Sequence, residues 1–293
     1  MTYFLQQLVS GLAAGGAYAS LALALVLIYS AMGLVNFAQG EFAMFATFIC
    51  WALLVTLHVP YPVAIVLAVL VAMAGAAAIE RLVVRPFERG PQLSVVIVTL
   101  ALLSIANGLA GFIWGYVPRA FPTPFPATPV LVAGVYISIQ DLAVIGISIL
   151  VLGLIYLLFN RTRLGLAMRT AALYPESARL LGVSVGGMLA IGWGLASGVG
   201  AISGILLAPG LFLEPNMMQQ VIIYAFAAAV LGGIESPVGA VIGGLLLGVM
   251  LALIGAYVPF LADLRLAIAL AVIVIVLLIR PSGLFGHAHA RRV

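Results

Sequence analysis

Nine long apolar stretches fill this sequence, at about 8–30, 42–58, 61–80, 93–116, 139–159, 188–212, 217–233, 237–257 and 264–279. A helix crosses the hydrocarbon of a bilayer with ~20 apolar residues. With 65% of its 293 residues hydrophobic and 7% charged, against about 25% charged in soluble domains, the chain cannot cover its surface in water. Lipid needs no such cover, so the natural solvent for most of this surface is a bilayer, and the run lengths are those of spanning helices. The predicted fold is all-α: a polytopic transmembrane helical bundle, one domain over 1–293, with about eight or nine spans. The stretch 217–233 is near the lower length limit and is expected to be a broken or re-entrant helix. The first stretch lacks a basic leader and a small-residue cleavage site, so it is expected to be a retained span.

The charges set sidedness. There is no lysine, and the basic residues are twelve arginines. Arg81, Arg85 and Arg89 share one loop, Arg161, Arg163, Arg169 and Arg179 another, and Arg280, Arg291 and Arg292 the tail; only Arg119 and Arg265 fall elsewhere. The positive-inside rule makes 81–92, 160–187 and the C-terminus cytoplasmic. It places the N-terminus outside if 8–30 and 42–58 both cross. Without lysine there is no Walker, Schiff-base or Ser-Lys chemistry, and the lone Cys50 allows no disulfide within the chain. His287 and His289, with no carboxylate or thiol beside them, read as a solvated tail. No metal or catalytic residue is expected, and the net charge of +4 follows the loop arginines and does not indicate a nucleic-acid partner.

Two loops are long. The outer one, about 117–138, holds Pro118, Pro122, Pro124, Pro126 and Pro129; it is read as an extended spacer or as a lip for an external partner. The inner loop, about 160–187, contains Pro175, Glu176, Ser177, Ala178, Arg179, Leu180, Leu181 and Gly182. Proline suits a first helical turn, glutamate the positive helix end, and glycine a C-terminal stop. A short amphipathic helix is predicted there, either resting on lipid headgroups or docking on a partner.

Glu176-Ser177-Ala178, three residues and then Gly182 resemble the Glu-Ala-Ala-x-x-x-Gly loop of ABC importer permeases. Other segments narrow the resemblance: Phe4 to Gln7, Asn36-Phe37-Ala38-Gln39-Gly40-Glu41, Ala229 to Ala240 with Gly232-Gly233-Ile234-Glu235-Ser236-Pro237, and Arg280 to Gly286. Together they resemble, over the full length, the shorter of the two paired permeases of branched-chain amino acid ABC importers. Two positions depart: the family often has histidine at Gln39 and glycine at Glu235. The resemblance implies a bacterial inner-membrane subunit importing branched-chain or other small aliphatic amino acids. Related permeases carry urea or short amides, which stays open. It also implies a second homologous permease, two ATP-binding subunits that hold ATP and magnesium, and a periplasmic or extracellular substrate-binding protein. No cofactor is expected in this chain, which has no phosphate-cradling motif. The Pro175–Gly182 segment would be the coupling helix, moved by the ATPases as a rigid body.

Polar residues inside spans usually face a bundle interior or a water-filled path. Candidates for the substrate path are Asn36, Gln39, Gly40, Glu41, Asn107, Gly232, Gly233, Glu235 and Ser236. An acid there would meet a ligand ammonium, and free backbone N–H groups its carboxylate. The alternatives are a solvated turn in which Glu41 caps the next helix, an interhelical contact for Asn107, and a water-facing Glu235. Glu214 reads as an exposed outer charge. An ion-coupled secondary transporter is the rival class, with Glu41 and Glu235 as its candidate acids.

Overall fold

The computed structural model describes residues 2–88, 90–126, 128–132 and 135–286. Arg89, His287, Ala288, His289, Arg291 and Arg292 lie outside the described residues. The chain is helical almost throughout, and eight described helices have the length and composition of a span. They group into two compact units, one of 1–26, 125–148 and 220–293, the other of 27–124 and 149–219.

The first unit contains most of α1 (Thr2–Met32), the start of α5 (Ile139–Arg161), nearly all of α9 (Gln219–Gly232), α10 (Pro237–Tyr257) and α11 (Arg265–Ile279). Alpha-helix α9 has 14 residues, about 21 Å at 1.5 Å per residue, which is too short to cross; the sequence expectation for 217–233 holds. Backbone-to-backbone packing of α1 against α10 explains the glycines here. A side chain at Gly15 would come 2.9 Å from the Gly244 carbonyl, and one at Gly248 would strike the Gly15 backbone. Small residues let two helices approach this closely, and in lipid such van der Waals contact replaces the hydrophobic drive available in water. The proline-rich loop ends in a β-hairpin, β1 (Val130–Val132) against β2 (Val135–Ile137), with Val130 opposite Ile137. The all-α bundle expected from the sequence holds, and this one loop hairpin, whose valines and isoleucine suit a strand, lies outside the helices.

The second unit contains α2 (Gln39–Trp51), α3 (Tyr61–Ile79), α4 (Gln92–Trp114), the short helices α6 (Arg163–Leu173) and α7 (Pro175–Leu180), and α8 (Val185–Leu211). Pro60 precedes α3 and Pro62 sits in its first turn, where no hydrogen bond is lost. α2 and α3 both end in π-turns, at Ala52–Thr56 and Glu80–Val84, a feature frequent at functional positions. α8 packs through glycines: Gly194 against the Met73 carbonyl of α3, and Gly204 against Ala43 and Thr47 of α2.

Candidate functional site

The segment Gly33–Ala38 interrupts the helices between α1 and α2. The side-chain amide of Gln39 donates to the Ala196 carbonyl at 2.9 Å, and the Trp193 indole N–H points at the Met32 sulfur, 3.0 Å away. Ala196 lies about 16 Å along α8 from Val185. The break therefore stands beside the middle of α8. Asn36 (1% exposed), Gln39 (0%) and Glu41 (3%) are buried, so the reading of a solvated turn is corrected: burial against α8 takes these residues out of water. Gly40 is buried with them.

Asn107, on α4, meets this cluster. Its amide nitrogen is 3.0 Å from the Pro215 carbonyl, 3.2 Å from Asn216 Oδ1 and 3.5 Å from Glu41 Oε2. Asn216 Oδ1 also accepts from the Gln219 amide at 2.9 Å. The chain of polar groups thus runs from the exposed Asn216 and Gln219 through Asn107 to the buried Glu41. Asn216 and Gln219 were missed from sequence; the segment shows only a charge, Glu214, and that side chain is half-buried, not exposed. The loop is held by an antiparallel bridge between Leu213 and Arg119, with N···O distances of 2.8 and 3.0 Å. Arg119 lies over the Trp51 ring, 4.8 Å from its centroid.

The other interruption, Gly232 to Ser236, is a joint within the first unit. Ser236 caps α10 by accepting from the Gly239 N–H at 3.0 Å. The N–H groups of Leu284 and Phe285 donate to the carbonyls of Leu231 and Gly232 at 2.9 Å. Gly233 adopts φ +111° with Ser282 and Gly286 packed on it, a conformation glycine takes without a Cβ penalty. Glu235 is on the exposed turn. The backbone contacts to Arg280–Gly286 account for the glycines.

The inner loop folds as the sequence predicts. α7 starts with Pro175, carries a Glu176–Arg179 ion pair at 2.8 Å, and closes on Gly182 at φ +80°. Ala178 faces inward, fully buried, while Ser177 is exposed; Leu180 is 90% and Leu181 77% exposed, beside exposed Leu173 and Tyr174. Helix α8 begins four residues after Leu181. Its first turn is held to the end of α3: Arg85 donates to both oxygens of Glu80, at 2.7 and 3.1 Å, and to the Gly186 carbonyl. Glu80 is fully buried. A side chain at Gly186 would meet the Arg85 guanidinium at 3.0 Å. Nearby, burial and the charge of Glu80 push the Glu88 carboxyl up to about 7.

Eight apolar helices of spanning length among the described residues, two of them bracketing a buried polar break, and a short surface helix with bare leucines fit a subunit set in a membrane. The profile of the permease component of branched-chain amino acid transport systems matches residues 7–277. The chain belongs to that family, and is a multi-pass permease subunit of the ABC importer class. The high-affinity branched-chain amino acid transport system permease BraD of Pseudomonas aeruginosa is 31% identical, over 99% of this chain and 98% of that protein. LivH of Escherichia coli has the same identity over the same shares, and a probable LivH of Methanocaldococcus jannaschii is 29% identical over 91% and 87%. Among solved structures, PsaBC from Streptococcus pneumoniae in complex with Fab superposes with a TM-score of 0.50 over 96% of this chain and 93% of that one, at 14% identity. That likeness concerns the fold alone.

Proposed function

We propose that this chain is one of two homologous permeases forming the path of an ATP-driven importer, and that it carries branched-chain or other small aliphatic amino acids into the cytoplasm. The observation that carries the reading is α7. A six-residue helix with Leu180 and Leu181 almost bare is unstable alone and presents an apolar knob in a loop of four arginines. Such a knob fits a groove on another subunit. In this reading Pro175–Gly182 docks on an ATP-binding subunit, which holds ATP and magnesium, and an external binding protein delivers the amino acid. The positive-inside rule puts 81–92, 160–187 and the C-terminus in the cytoplasm, with the chain in the bacterial inner membrane. The path runs along Asn36, Gln39, Gly40, Glu41 and Asn107, and the joint at Gly232, Gly233, Glu235 and Ser236 serves packing.

The test replaces Gly182 with tryptophan and, separately, Glu176 with lysine. The first puts a Cβ where φ is +80°, a conformation costing ~1 kcal/mol for other residues; the second breaks the Arg179 pair and reverses the charge at the helix start. Both proteins should reach the membrane, with ATPase association or amino-acid uptake reduced tenfold or more. Normal association and uptake in both would remove the docking role. Uptake by the purified permease on an ion gradient, without ATPases, would favour the secondary-transporter reading.

A further inference from the structure

The polar break beside α8 has an unusual balance of hydrogen-bonding groups. An asparagine amide has two hydrogens, and three acceptors surround that of Asn107. The Pro215 carbonyl and Asn216 Oδ1 are the nearer two, so Glu41, at 3.5 Å, is left with the weakest contact. Neither of the ion pairs among the described residues involves it. Gln39 uses its Nε2 on Ala196 and leaves Oε1 buried with no partner. Asn36 uses its Oδ1 on the Ala38 N–H, at 3.0 Å, and leaves Nδ2 buried with no partner. The first turn of α2 has no side-chain cap. A buried donor or acceptor left unmade costs ~1–3 kcal/mol, and a charge inside a membrane more.

These unmet groups fall in six residues and are of two kinds. Glu41 and Gln39 Oε1 are acceptors, one of them anionic; Asn36 Nδ2 and the Gly40 and Glu41 N–H groups are donors, the Gln39 N–H being taken by the Asn36 carbonyl at 3.3 Å, with the positive end of the helix dipole behind them. We propose that this break binds the zwitterionic head of an amino acid. Its ammonium sits on Glu41 and Gln39 Oε1, and its carboxylate on Asn36 Nδ2 and the Gly40 and Glu41 N–H groups. The chemistry selects against neighbours of that class. A simple amine leaves the donors unmet, a simple carboxylate meets Glu41 with like charge, and urea or a short amide leaves the Glu41 charge uncompensated. Trp193 and Phe42, 6.2 Å apart by ring centroids, stand beside the break on α8 and α2 and supply apolar surface to an aliphatic side chain. The site deepens the importer reading and rests on it.

The experiment reconstitutes the complete importer, with its partner permease, ATPases and binding protein, and measures ATP-dependent uptake of L-leucine. Glu41→Gln and Asn36→Leu should each reduce uptake at least tenfold while binding-protein-stimulated ATP hydrolysis persists, and Glu41→Asp should restore part of it. A second measurement covers variants that fail to assemble. In a Cys50→Ala background, Phe37→Cys, at an exposed position of the break that is not assigned to the ligand, is labelled with a small methanethiosulfonate reagent; L-leucine should slow labelling, and isopentylamine, 4-methylpentanoate and urea at the same concentration should not. Equal protection by the amine alone or by urea overturns the zwitterion assignment, as does wild-type uptake in both variants. A wild-type complex that needs no ATP overturns the importer reading instead, which keeps the two failures apart.

Discussion

Both units pack helices in lipid through glycines, and they differ in the polar side chains they bury. In the first, α1 and α10 meet at Gly11, Gly15, Gly244 and Gly248 with backbone against backbone, and the only buried polar side chains among its described residues are the hydroxyls of Ser20 and Ser148. Ser20 returns its hydrogen to the carbonyl of Gly16, four residues back. In the second, Asn36, Gln39, Glu41 and Glu80 are all buried, and several hydrogen bonds join distant segments. Glycine contact gives a joint that tolerates no change in volume, because a Cβ has nowhere to go. Polar contact gives a joint with alternatives, because a donor can exchange one acceptor for another. The first arrangement suits a scaffold, and the second suits a path whose contacts change as a ligand passes.

The contrast predicts that the largest losses of stability follow from the first unit. Gly248→Leu forces a side chain into the Gly15 backbone. Overpacking of this kind should cost about 3 kcal/mol or more, seen as lost membrane abundance and a lowered Tm in detergent. Glu41→Gln, in contrast, should leave Tm unchanged or higher, since it removes a charge from the membrane interior. If the glycine variant were stable and the Glu41 variant unfolded, the division would be wrong.

A middle-sized effect is expected at the Glu80–Arg85 pair. Glu80→Ala leaves the guanidinium facing the Gly186 carbonyl without its bidentate partner. Breaking a buried pair costs ~3–5 kcal/mol; Arg85 is 32% exposed at its side chain, so roughly half of that should appear as lost thermal stability. The smallest effect is at Glu88. Its folded carboxyl is raised from 4.5 to about 7 by burial, by the Glu80 charge and despite Arg85, so the protonated form is the one the fold favours. The stability it contributes is complete below pH ~4.5 and is lost as pH rises through about 7. Unfolding curves measured from pH 5 to 8 should show a shallow decline that Glu88→Gln flattens.

Much of this could be read from the residues in order. Apolar run lengths define the spans, since lipid thickness fixes helix length. The arginine clusters give an orientation, and Pro175, Glu176 and Gly182 mark the ends of α7 by local rules that need no partner. The candidate site was half legible: Asn36, Gln39, Glu41 and Asn107 stand out as polar residues in apolar surroundings. Their depth does not. A six-residue break reads the same at a membrane edge as at mid-membrane, because depth depends on which residue of α8 lies alongside, and the Gln39–Ala196 bond joins positions 157 apart.

The sequence by itself therefore determined that this is a helical membrane protein of a permease family, with a short helix outside the spans, because those properties depend on composition, spacing and nearest neighbours. The tertiary structure alone decided which polar groups go unpaired. Asn107 reaches Glu41 and Asn216 from another helix, Arg85 ties α3 to α8, and Gly232 to Ser236 serves the C-terminal turn. Each is a long-range pairing, and whether a buried donor has found its acceptor is a property of distance in space, which the order of residues does not contain.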